Sequence, residues 1–145
     1  MAALSSVQRV LTQGLKALVE YVPVLTGGSG NAYNIPALGP TALVNIWTSS
    51  GTVSARNADG STTGKQADGF VLSAVASGGQ ATVYLSGLDT AVTGLTAGLA
   101  YLSATTAGGV STTGATTAGQ TYQQVGVVTA TGVLQFSPQV PVQRS

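Results

Sequence analysis

The sequence predicts a mainly β fold: a single small β-barrel or β-sandwich domain of short antiparallel strands, preceded by an N-terminal arm or short helix. Three observations predict it. Short apolar runs recur from residue 42 to the C-terminus, each broken by glycine or threonine. β-rich runs joined across a glycine link read as hairpins, because glycine reaches the positive φ of tight turns. The length of 145 residues suits one domain with room for a core. The apolar fraction is 43% but only 6% of residues are charged, so the chain lacks the high charge and low hydrophobicity of disordered segments.

The central stretch is Ala67–Gly87, ADGFVLSAVASGGQATVYLSG. Its runs Gly69–Ala76 and Ala81–Ser86 flank Ser77-Gly78-Gly79 and predict a hairpin. Phe70, Leu72, Ala74 and Ala76 would share one face, with Val71, Ser73 and Val75 on the other. Both faces of this first run are largely apolar, so it is expected to be covered on both sides, whereas the second run alternates Val83 and Leu85 against Thr82, Tyr84 and Ser86. About nine short strands at such spacing suggest a barrel or sandwich.

Residues 1–25 form a separate region by pattern. Leu4, Val7, Val10, Leu11, Leu15, Leu18 and Val19 recur at helical spacing, with Ser5 or Ser6 available as N-cap. Gly14 weakens that helix and Pro23 ends it. Two readings stay open: a short helix lying on the barrel, or an arm that grips a neighbouring subunit. Residues 26–41, TGGSGNAYNIPALGP then Thr41, read as a linker. The β domain spans 42–145. It opens with Leu43–Thr48, which alternates Leu43, Asn45 and Trp47 against Val44 and Ile46, and returns through Ser49-Ser50-Gly51 into Thr52–Ala58. Asn57–Lys65 is a polar loop. Asp89–Gly98 supplies a strand and turn before Leu99–Thr105, and Thr106–Gly119 reads as an exposed loop or irregular edge. Gln120–Ala130 and Val133–Ser137 form a second hairpin around Thr131-Gly132. Pro138 and Pro141 make the tail extended.

Composition excludes whole classes of function. The net charge is +1 and the five basic residues are scattered, so no footprint for nucleic acid exists. No apolar run approaches the roughly 18 residues of a membrane helix. Arg9 and Lys16 interrupt the apolar core that a signal peptide needs. The chain has neither cysteine nor histidine, which removes disulfides, the thiol nucleophile, and the commonest general base and metal ligand.

The acids are Glu20, Asp59, Asp68 and Asp89. Asp59 and Asp68 flank one polar loop, but each precedes a glycine and is expected to bond local backbone amides in an Asx turn. Asn57–Ser61 carries one carboxylate where a calcium loop needs several. Gly27, Gly28 and Gly30 lack the ending of a phosphate loop, and no serine sits in a nucleophile elbow. Trp47, Tyr84, Tyr101 and Tyr122 could stack sugars, although sheets and cores also favour aromatics. The expectation is therefore no catalytic residue, no metal site, no cofactor and no enzyme.

Arg56–Gly87, RNADGSTTGKQADGFVLSAVASGGQATVYLSG, resembles a segment common in tailed-phage structural proteins that coat the head. The similarity continues through TAVTGLTAGLAYLSATTAGGVSTT and QTYQQVGVVTATGVLQFSPQVPV, covering Ala42 to Val142. Its best-matching pieces are Ala67-Asp68-Gly69-Phe70-Val71, Gly94-Leu95-Thr96-Ala97-Gly98 and Gln124-Val125-Gly126. The chain thus resembles the capsid decoration, or cement, proteins of tailed bacteriophages. That resemblance implies a β-rich homotrimer on the outer surface of the virion capsid, seated at local threefold positions and holding major capsid protein subunits together. Its partners would be its own copies and the major capsid protein, with no nucleic acid and no membrane. On this view Leu11, Leu15, Leu18, Tyr21 and Val22 face the shell or lock the trimer. Trp47, Phe70, Leu72, Val83, Leu85, Leu102 and Phe136 form the subunit core. The rival from another class is a head- or tail-fibre domain that recognises host-surface glycans through exposed tyrosines. A tail-tube component is a third reading.

Overall fold

A computed structural model describes residues 19–23, 42–49, 52–76 and 80–145. The described residues form twelve strands and no helix. These are β1 (Val19–Pro23), β2 (Leu43–Ser49), β3 (Thr52–Asn57), β4 (Gly69–Phe70), β5 (Gln80–Tyr84) and β6 (Gly87–Asp89). They continue as β7 (Gly98–Leu102), β8 (Val110–Ser111), β9 (Thr121–Tyr122), β10 (Gln124–Val128), β11 (Leu134–Phe136) and β12 (Val142–Gln143).

Two five-stranded antiparallel sheets dominate, ordered β1-β5-β4-β2-β3 and β6-β11-β10-β7-β8, with β12 and β9 as a separate pair. The first sheet curls until its edge strands β1 and β3 approach each other, giving a half-barrel. The fold is thus mainly β, as the alternation of apolar and polar residues predicts.

Two cores follow from the pleat, since successive side chains point to opposite faces. Leu43 and Phe70 join Ala100, Leu102, Val125, Val128, Leu134 and Phe136 between the sheets. Phe70 stacks on Tyr84 with centroids 5.3 Å apart and meets Phe136 edge-on at the same distance. Val44, Ala55, Val71, Ala81 and Val83 pack on the other face of the first sheet, inside its curl. The first run of the central hairpin is covered on both sides only from Gly69 to Val71; Leu72, Ser73, Ala74 and Ala76 are exposed, against the expectation.

The structure corrects several sequence expectations. Val19–Pro23 is extended and pairs with β5, Val19 opposite Tyr84 and Pro23 opposite Gln80. A helix therefore does not run up to Pro23, because the open edge of β5 supplies the backbone partners that a helix would find internally. The first strand of the central hairpin ends at Phe70, and only Phe70↔Tyr84 links it to β5. Past Phe70 the alternation lapses: Val71 is buried and Leu72 is 36% exposed, so Leu72 is not a core residue. Trp47 is half-buried. It lies toward the end of β2, outside both cores, with the Arg56 guanidinium 4.6 Å from its ring centroid. Phe70, Val83, Leu102 and Phe136 are fully buried, and Leu85 packs at the margin of the inner core. The hairpin around Gly132 forms as β10 and β11, with Gly132 at φ 79°. The linker 26–41 and Ser77-Gly78-Gly79 lie outside the described residues.

Candidate functional site

Polar chemistry gathers in three places. The first is the loop between β3 and β4, beside β2. Asp68 is expected to close a local turn; instead its Oδ2 accepts from Asn45 Nδ2 and from the Ile46 backbone N–H, both at 2.8 Å. Asn45 Oδ1 in turn accepts from Arg56 Nε at 2.9 Å, and the guanidinium donates again to the Gly64 carbonyl. Asn45, buried at 1% exposure, thus relays between an anion and a cation. Burial raises the Asp68 carboxyl above its ordinary value, against hydrogen bonds from Ile46, Asn45 and Gln66 and the charge of Arg56. The Arg56 value is lowered, chiefly by burial, against the attraction of Asp68. Asp59 does make the expected Asx turn, accepting from the Ser61 N–H and hydroxyl at 2.9 and 2.6 Å.

These contacts brace a loop. Replacing Asp68 with alanine strands Asn45 Nδ2 and the Ile46 amide, a loss of about 2 to 3 kcal/mol when buried donors lose their acceptor. Urea unfolding of Asp68→Ala is expected to show that loss. An unchanged midpoint would remove the relay from the account.

The second place joins β7, β9 and the C-terminus. Tyr101 and Tyr122 lie with ring centroids 5.3 Å apart, and a hydrogen bond between them raises the Tyr101 value. The Arg144 guanidinium sits 4.8 Å from the Tyr122 centroid and its Nε donates to the Ala115 carbonyl at 2.9 Å. A Cβ on Gly114 would lie 2.1 Å from the Tyr122 ring. Tyr122 is therefore enclosed by Gly114, Arg144 and Tyr101, which makes it a clamp for the tail rather than a free stacking platform. Tyr84 is engaged with Phe70 and Trp47 with Arg56, so the four aromatics do not assemble. Beside the clamp, Thr105, Ser111, Thr113, Thr116, Thr117 and Gln120 line a hollow of about 250 Å³.

The third place is Asp89 on β6, fully buried. Its Oδ1 accepts from the Ala91 amide at 3.2 Å, while Oδ2 has no partner. Burial pushes its pKa up to about 6, against hydrogen bonds from the amides of Ala91 and Val92.

Sequence reasoning missed the roles of Asn45, Asp89 and Gln123. Gln123 is buried, accepts from Ala67 N at 2.8 Å, and donates to the carbonyls of Ala67 and Gln139, both at 3.0 Å. For Asn45 the signal was an amide standing inside the apolar run LVNIW; Asp89 and Gln123, among polar neighbours, gave none. Among the described residues no three acidic or other metal-binding side chains gather. Leu11, Leu15 and Leu18 lie outside the described residues; Tyr21 and Val22 lie on β1, opposite Thr82 and Ala81. Comparison with family models, with curated proteins and with solved structures finds no match.

Proposed function

We propose that this chain is a non-enzymatic virion structural protein, a capsid decoration or cement protein. It would bind the outside of a phage head as a homotrimer and stabilise contacts between major capsid subunits. One observation carries this reading: charge is scarce, at 6% of residues, and part of it is engaged within the fold. Six charged side chains are described, three basic (Arg56, Lys65, Arg144) and three acidic (Asp59, Asp68, Asp89). Arg56, Asp68 and Arg144 bond to internal partners, and Asp89 is buried. Most of the described surface is therefore neutral hydroxyls, amides and apolar groups, with Arg144 among the few exposed charges. Such a surface can dry out against another protein without stranding a charge, which is costly. It also lacks the like-charge repulsion that keeps free proteins apart. A bound protein then stabilises the assembled shell by mass action, with no chemistry required.

The test is reconstitution. Purified protein added to phage heads that lack it is expected to saturate them as trimers at threefold positions and to raise the temperature at which they rupture. A monomer that leaves the heads bare overturns the reading. The hydroxyl-lined hollow beside Tyr122 favours the rival, a fibre domain that binds host-surface glycans. Saturable binding of the soluble protein to a glycan array, with bare heads, would shift the function to that class.

A further inference from the structure

The outer face of the second sheet carries an apolar row. Leu88 on β6 stands opposite Gln135 on β11, Gln135 opposite Val127 on β10, and Val127 opposite Leu99 on β7. Residues directly opposite in paired strands share a face, so the four side chains form one line across four strands. With strands about 4.8 Å apart the line spans roughly 14 Å. Leu88, Leu99 and Val127 are 52%, 50% and 44% exposed, whereas Asp89, Ala100, Gly126 and Val128 beside them are buried. Isolated exposed leucines are ordinary, but Leu99 and Val127 adjoin across β7 and β10, with Leu88 beyond Gln135 on the same face, and such groupings mark contacts.

Where the chain enters the sheet points to what covers the strip. β1 runs antiparallel to β5 with Val19 opposite Tyr84, and only Leu85 and Ser86 separate Tyr84 from β6. Val19, where β1 begins, therefore lies close to where the chain crosses into the second sheet, a few residues before Leu88. Eighteen residues precede Val19. That length reaches about 27 Å as a helix and up to about 60 Å extended, more than the strip requires. Leu4, Val7, Leu11, Leu15 and Leu18 fall on one stripe at helical spacing, with Arg9 and Lys16 opposite.

We propose that the row Leu88–Gln135–Val127–Leu99 is the docking site for the chain's own residues 1–18, which lay their apolar stripe across it. The basic residues are left on the water side, and the neutral row presents no charge to bury. This inference does not rest on the decoration reading; it would place Leu11, Leu15 and Leu18 on the chain's own sheet rather than on the shell.

The chain has no cysteine, so Leu99→Cys places a single reporter on the row of the full-length protein, with Thr112→Cys as an exposed control. The Leu99→Cys thiol is expected to react with a bulky maleimide about tenfold more slowly than the control, since reaction must wait for local opening. Adding Leu11→Asp and Leu15→Asp is expected to bring the two rates together. A Leu99→Cys rate equal to the control in the otherwise unchanged chain overturns the proposal. So does protection that survives both aspartates, which means another occupant, or protection that vanishes on dilution, which means a second copy.

Discussion

Gly126→Ala is expected to lower stability by about 3 to 5 kcal/mol, the sum of backbone strain and overpacking. Gly126 pairs with Phe136 across β10 and β11, and the β10–β7 register shifts between Gln124 and Gly126. A Cβ there would lie 2.0 Å from the Gln135 carbonyl oxygen, a backbone atom that cannot rotate away, and φ is +154°. The only relief is to part β10 from β11, which would open the core around Leu134 and Phe136. Small domains have only about 5 to 15 kcal/mol in total, so the variant should unfold at much lower urea or fail to accumulate. Gly94→Ala is the control. Its φ is +75° but nothing lies within 4 Å of the added Cβ, so it should cost only about 1 kcal/mol of left-handed strain. Equal midpoints for the two variants would sink the β10–β11 register.

Acidification is expected to stabilise this protein between pH 7 and pH 4, against the common trend for carboxylates. The folded pKa of Asp89 is raised from 3.8 to about 6 by burial. The folded state therefore holds a proton that the unfolded chain gives up, and unfolding stability rises as pH falls through about 6. The gain is complete near the unfolded value and stays level below it. A displacement of this size corresponds to about 3 kcal/mol. Asp68 is shifted in the same direction and adds to the slope. The physical cause is the stranded Oδ2, which is tolerable as part of a neutral acid and costly as part of an anion. Asp89→Asn should be more stable than the unchanged protein at pH 7.5, with most of the pH slope gone. A wild-type midpoint that falls steadily from pH 7 to pH 4 would refute the buried-acid account.

The contrast between Leu43–Thr48 and Gly69–Ala76 shows how far local pattern reaches. In the first, Leu43 and Val44 go to opposite cores because the strand is long and paired on both sides. In the second, an equally apolar run loses its partner after Phe70 and turns Leu72 outward. Val19 belongs to a helical spacing by sequence and to a strand in the fold, since a short apolar run satisfies either period. Asp59 makes its local turn, whereas Asp68, in the same Asp-Gly context, reaches 23 residues back to Asn45.

Sequence alone settled the β class, the glycine turn of the C-terminal hairpin and the poverty of charge, because these depend on residue type and on contacts between near neighbours. Tertiary structure decided which strand pairs with which, where the acids point, and that Leu88, Val127 and Leu99 fall into line. Those outcomes depend on register between segments far apart in the chain, and backbone hydrogen bonding, which sets register, carries no side-chain signature to read in advance.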